Sequence, residues 1–100
     1  MERKVPITTV RAVLIQMKVV DDKSANLRAA VQAVGDGARQ GAQMVVLPEM
    51  FNCPYHTQNF PRYAEPQGGP AWSALSEAAR RHHVVLVGGS MPEVDAAGKV

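Results

Sequence analysis

The sequence predicts an α/β fold, and three observations carry that prediction. Short apolar runs recur at Val13-Leu14-Ile15-Gln16-Met17, at Met44-Val45-Val46-Leu47 and at Val84-Val85-Leu86-Val87. Segments with apolar residues at helical spacing separate them, one starting near Asp21 and one near Ala71. Proline and glycine punctuate the strand ends, at Pro48 and at Gly88-Gly89. Apolar strands alternating with amphipathic helices are the pattern of βαβ units and a parallel sheet.

Residues 1–7 are expected to form a loose arm, with the domain occupying residues 8–100. Thr8 to Met17 reads as a buried strand, because Val10, Ala12, Val13, Leu14 and Ile15 make a near-continuous apolar run. Asp21, Asp22, Ser24 and Asn26 are N-cap candidates for a helix whose stripe is Leu27, Ala30, Val31, Val34 and Ala38. Gly35 and Gly37 weaken that helix, and Gly41 suits the left-handed position beyond its end. Between Met50 and Pro70, Phe51, Tyr55, Phe60 and Tyr63 interleave with Pro54, Pro61 and Pro66, which predicts an ordered loop over the sheet end. Gly68-Gly69-Pro70 introduces a helix near Ala71 to His83, with Trp72, Leu75, Ala78 and Ala79 as its core stripe. After the third strand, Asp95-Ala96-Ala97-Gly98 predicts a turn, and Val100 the start of an antiparallel strand. A sheet edge left open there leads us to expect an amino-terminal portion of a longer protein.

Composition bounds the function. A hydrophobic content of 46% with 20% charged residues is globular. Eleven Lys and Arg against nine acids give a formal charge of +2, too small an excess to predict a nucleic-acid surface. No apolar run is long enough to span a bilayer, so no membrane association is expected. The single cysteine and a start without signal-peptide character lead us to expect a cytoplasmic protein.

Chemistry gathers at Glu49. Pro48 has no N–H to give to a sheet, so the second strand stops there with a carboxylate at its carboxyl end. In open α/β sheets that end faces the ligand crevice, and an acid set against apolar walls there is suited to proton transfer. Cys53-x-x-His56 has the spacing of half a metal site, but zinc needs three or four ligands and His82-His83 belong to another element, so no metal is expected. Gly88-Gly89-Ser90 lacks both phosphate-loop patterns and predicts close packing or a bulge. Lys99 belongs to the predicted turn and faces solvent.

These blocks, together with Met50-Phe51-Asn52-Cys53-Pro54-Tyr55 and Gly88-Gly89-Ser90-Met91-Pro92-Glu93, resemble in their order the amino-terminal part of the nitrilase superfamily of carbon–nitrogen hydrolases. The nearest likeness is to its omega-amidase-like branch, over residues 8–100. The resemblance implies an α/β fold that is the amino-terminal part of a nitrilase-type α-β-β-α sandwich. It implies cysteine-dependent hydrolysis of a small ω-amide, a dicarboxylic acid monoamide, to acid and ammonia by the intact protein. Glu49 matches the family's general base; the lysine and nucleophilic cysteine follow later strand ends, beyond residue 100. Cys53 falls where the family carries a small residue and has no assigned chemistry. Tyr55 lies in a loop that lines the pocket mouth in the family, which suggests a hydroxyl contact to a polar substrate. A small-molecule amide is the expected partner, with no cofactor, and a homodimer or higher homo-oligomer is the expected assembly. The alternatives are a non-catalytic binding or assembly module of the same fold, a hydrolase of another small amide, carbamoyl compound or nitrile, and a free-standing flavodoxin-like domain, for which the phosphate loop is missing.

Overall fold

A computed structural model describes residues 9–100, so the expected arm at residues 1–7 lies outside the described residues. Strands β1 (Ala12–Leu14), β2 (Met44–Val46) and β3 (Val85–Val87) form one parallel sheet in the order β1-β2-β3. Helix α1 (Lys23–Arg39) joins β1 to β2; a short 3-10 turn (Thr57–Asn59), α2 (Phe60–Tyr63) and α3 (Pro70–His82) join β2 to β3. The predicted βαβ unit is present, and the ladder runs one residue past β2, where the Leu47 N–H donates to the Val87 carbonyl at 2.9 Å.

Helices α1 and α3 pack against each other and against the sheet. Register aligns Val13 with Val45 and Val45 with Leu86, and this row meets the helices. Val45 packs with Val34, Ala42, Ala78 and Val84. A second cluster, Ala30, Leu47, Phe51, Ala71 and Leu75, lies under the carboxyl ends of the strands. Gly37 is buried where α1 meets the sheet: an added Cβ would stand 3.3 Å from Val45 Cγ2 and 3.5 Å from Val13 Cβ. Glycine costs a helix interior roughly 1 kcal/mol. Here it permits the close approach of helix to sheet, a role beyond the weakening expected of it.

Three expectations need correction. The sequence predicts a first strand buried throughout, yet Leu14 in β1 is 74% exposed, and Val85 in the apolar run of β3 is 60% exposed. A strand points alternate residues to opposite faces, and among the described residues only the face of Val13, Val45 and Leu86 is covered by helices. Trp72 is 58% exposed, outside the core, because the buried stripe of α3 is Ala71, Leu75 and Ala78 and the next residue is rotated by about 100°. Asn26 is no cap: Asp22 caps α1, its Oδ1 accepting from the Ala25 N–H at 3.1 Å, while Asn26 is buried. The turn at Asp95 to Gly98 forms, with Asp95 Oδ1 accepting from the N–H groups of Ala97 and Lys99. Val100 pairs with no strand among the described residues. No helix among them is long and apolar enough to cross a membrane.

Candidate active site

The site begins where β2 stops. Leu47 makes the last ladder bond of that strand, and Pro48 cannot donate the next one. The chain then turns sharply, with Met50 at φ +50°, a left-handed conformation that costs a bulky residue about 1 kcal/mol or more. Phe51 follows, fully buried in the same apolar cluster as Leu47. Both sides of the turn are thus anchored in the core, and Glu49 stands exposed between them. The sequence leads us to expect apolar walls around this carboxylate; the described residues leave it open to solvent.

Tyr55 closes the other side. Its hydroxyl donates to Glu49 Oε1 at 2.7 Å, and its ring meets Phe60 edge-on at 6.1 Å between centroids. The hydrogen bond to the carboxylate, with its negative charge, pushes the Tyr55 phenol above its ordinary value. The hydroxyl expected to meet a substrate therefore meets Glu49, and its oxygen keeps lone pairs to accept from another group.

The loop carrying these residues is tied to the start of α1. Asn26 Nδ2 donates to the Asn52 carbonyl at 3.0 Å and to the Val20 carbonyl at 2.7 Å, while its Oδ1 accepts from the Val20 N–H at 2.8 Å. Tyr63 is buried, and its hydroxyl donates to Asp21, which also pairs with Arg62 at 3.1 Å. The Tyr63 hydroxyl and the Arg62 guanidinium hold the Asp21 carboxyl below its usual range. Lys23 reaches the Tyr63 carbonyl at 3.3 Å and Glu65 Oε2 at 3.1 Å, and the buried Glu65 accepts from the Ala71 N–H at 2.8 Å with Oε1. The Glu65 backbone forms a parallel bridge beside Glu93 beyond β3, its N–H donating to the Pro92 carbonyl at 3.2 Å and its carbonyl accepting from the Val94 N–H at 3.0 Å. The aromatic and proline-rich loop is ordered, as its composition predicts. Asn26, Asp21, Lys23 and Glu65 are its supports, which the sequence reading did not single out as such. For Asn26 a signal existed: with Ala30 and Val34 it falls in steps of four on the buried face of the helix.

Cys53 is 1% exposed, with its thiol donating to the Pro54 carbonyl at 3.3 Å, and burial pushes the thiol up. His56 is exposed, and His82 and His83 end α3. Among the described residues no group of three or more His, Cys, Asp and Glu side chains is arranged to hold a metal ion. Gly88-Gly89-Ser90 is a packing segment: Gly89 has φ +64°, and an added Cβ would lie 2.1 Å from the Pro48 carbonyl oxygen. Lys99 is exposed in its turn.

Comparison with known proteins bears on what this arrangement serves. A family model described as carbon–nitrogen hydrolase matches residues 11–100. The omega-amidase NIT2 of Mus musculus is 48% identical over 94 residues, which are 94% of this chain and 34% of the mouse protein. Nitrilase homolog 2 of Dictyostelium discoideum is 44% identical over 87 residues, 86% of this chain and 26% of that protein. The crystal structure of Saccharomyces cerevisiae Nit3, a member of branch 10 of the nitrilase superfamily, superposes with a TM-score of 0.78 at 33% identity, over 90% of this chain and 36% of that one. The chain spans between about a quarter and just over a third of the length of these relatives. With its strands, helices and blocks matched along nearly all its length, the chain belongs to the carbon–nitrogen hydrolase family, in the nitrilase superfamily, where it corresponds to the amino-terminal portion of omega-amidase-like members.

Proposed function

We propose that a full-length protein carrying this chain hydrolyses a small ω-amide, a dicarboxylic acid monoamide, to the acid and ammonia, with Glu49 as general base. The observation that carries this reading is the exposed Glu49 carboxylate at a strand-end turn anchored on both sides by Leu47 and Phe51. A carboxylate held there can take the proton of a nucleophilic thiol, so that the thiolate attacks the amide carbon. As the C–N bond breaks, the same proton passes to the departing nitrogen as ammonia. Water then cleaves the thioester, its proton returning by way of Glu49 to the thiol. Tyr55, donating to Oε1, orients the carboxylate and offers its oxygen to a polar group of the substrate.

Cys53 is a poor candidate for the nucleophile, since its thiol is buried, held neutral and turned to the Pro54 carbonyl. The nucleophile and the lysine that balances the oxyanion are assigned to chain beyond Val100. In the full-length protein, Glu49→Gln should lower kcat by about 10²–10⁴-fold with the fold intact, because glutamine keeps the shape and cannot carry the proton. Cys53→Ser should keep most of the activity. A Glu49→Gln enzyme within about tenfold of the parent on a small ω-amide would leave Glu49 as an ordinary strand-end carboxylate.

A further inference from the structure

The geometry points to Ser90, with Gly89 beside it, as the positioning device for Glu49. Ser90 is 41 residues away in sequence, yet its Oγ accepts from the Met50 N–H at 3.0 Å, and its carbonyl accepts from the Phe51 N–H at 3.3 Å. Both donors belong to the two residues that follow Glu49. On the other side of Glu49, the Pro48 carbonyl packs so closely on Gly89 that any side chain there would collide with it. The end of β3 therefore grips the turn both before and after the carboxylate.

Met50 shows why such a grip is needed. A bulky residue at φ +50° persists only where its surroundings over-determine it, and the Ser90 hydroxyl is bonded to the N–H of that residue. Tyr55 holds one end of the Glu49 side chain, and Ser90 holds the backbone from which the side chain projects. Without the Ser90 acceptor, the Met50 peptide can relax out of the left-handed region, and the peptide it shares with Glu49 rotates with it. The carboxylate then leaves the position that proton transfer requires, while groups that bind substrate elsewhere are untouched. Ser90 is thus a positioning residue, acting through Met50 on the base.

This inference rests on Glu49 being the base, and the experiment separates the two. In the full-length protein, Ser90→Ala, Ser90→Thr and Glu49→Gln are assayed together on a small ω-amide, with the thermal transition of each recorded. Ser90→Ala should lower kcat by about ten- to a hundredfold, since a displacement on the order of 1 Å can cost that much, with KM within about twofold. Ser90→Thr, which keeps the hydroxyl, should restore most of kcat. Ser90→Ala with kcat within about twofold of the parent would overturn the inference, and so would a loss confined to KM, a loss that threonine does not rescue, or a protein that no longer unfolds cooperatively. If Glu49→Gln is inactive and Ser90→Ala is not impaired, only the positioning role fails. If Glu49→Gln stays active, the base reading itself fails and takes this one with it.

Discussion

Tyr55 donates its hydroxyl hydrogen to Glu49 Oε1 across 2.7 Å, joining the strand-end carboxylate to the loop that folds back over it. The bond couples the two groups: the phenol holds its proton to higher pH because it donates that proton to a carboxylate, and the carboxylate keeps one oxygen in a fixed direction. The other carboxylate oxygen is the one left for the proposed proton transfer. A second pair of the same kind, Tyr63 on Asp21, lies farther along the loop and ties it to the start of α1.

The two tyrosines should therefore titrate late, and separately. Each phenol is raised in the folded state, the first cause being its carboxylate partner. A group raised on folding contributes stability that is fully present below its unfolded value, about 10 for tyrosine. That contribution fades as pH rises through the higher folded value, so on the alkaline side both bonds persist until strongly alkaline solution. Ultraviolet titration of tyrosinate in the full-length protein should show one phenol return toward the ordinary value in Glu49→Gln, and the other in Asp21→Asn. A Glu49→Gln protein with an unchanged tyrosinate curve would mean that the Tyr55 bond does not persist in solution.

Asn26→Ala should be among the more damaging substitutions outside the strands. Asn26 is buried and makes three hydrogen bonds, two to Val20 and one to the Asn52 carbonyl. Alanine leaves those backbone groups buried without partners, at about 1–3 kcal/mol for each one that water cannot reach. The expected loss in chemical denaturation of the full-length protein is about 2–4 kcal/mol. A loss below about half a kcal/mol would show that water replaces the amide without difficulty.

Why some of this is legible in the sequence and some is not follows from the range of the interactions. The βαβ order, the stop at Pro48 and the turn at Asp95 depend on neighbours within a few residues, so local chemistry reports them. Gly41, at φ +89° just beyond α1, belongs to the same group. The Ser90 to Met50 bond joins strand ends 40 residues apart and leaves no periodic trace. Tyr55 and Glu49 meet within an irregular loop, where no helical or strand spacing brings positions 49 and 55 together. Leu14 and Val87 show a different limit. A continuous apolar run does not reveal which of its alternate residues a helix will cover.

On its own, the chain of 100 residues should release no ammonia from small ω-amides. It carries the proposed base, while its one thiol is buried and donates to a carbonyl. Catalytic groups that act as a unit lose nearly all their effect when one is missing. Ammonia release by the purified chain above the buffer rate, abolished by Cys53→Ala, would assign the nucleophile to Cys53 after all.

The open sheet face gives a prediction whose sign depends on what else is present. Leu14, Val85 and Val87 are exposed on the face away from α1 and α3, at 74%, 60% and 45%. An apolar row of this kind is either covered by more protein or adhesive. In the nitrilase-type α-β-β-α sandwich the second sheet is the cover we propose for it in the full-length protein. Leu14→Lys with Val87→Lys should then act in opposite directions in the two settings. In the isolated chain the lysines should reduce self-association and the binding of a hydrophobic dye, because they break the apolar row. In the full-length protein the same pair should destabilise, since burying each parent side chain contributes about 1.5–3 kcal/mol and a lysine must keep its charge in water. Sedimentation of the isolated chain and denaturation of the full-length protein read the two arms. A full-length double variant as stable as its parent would mean that this face stays open to water.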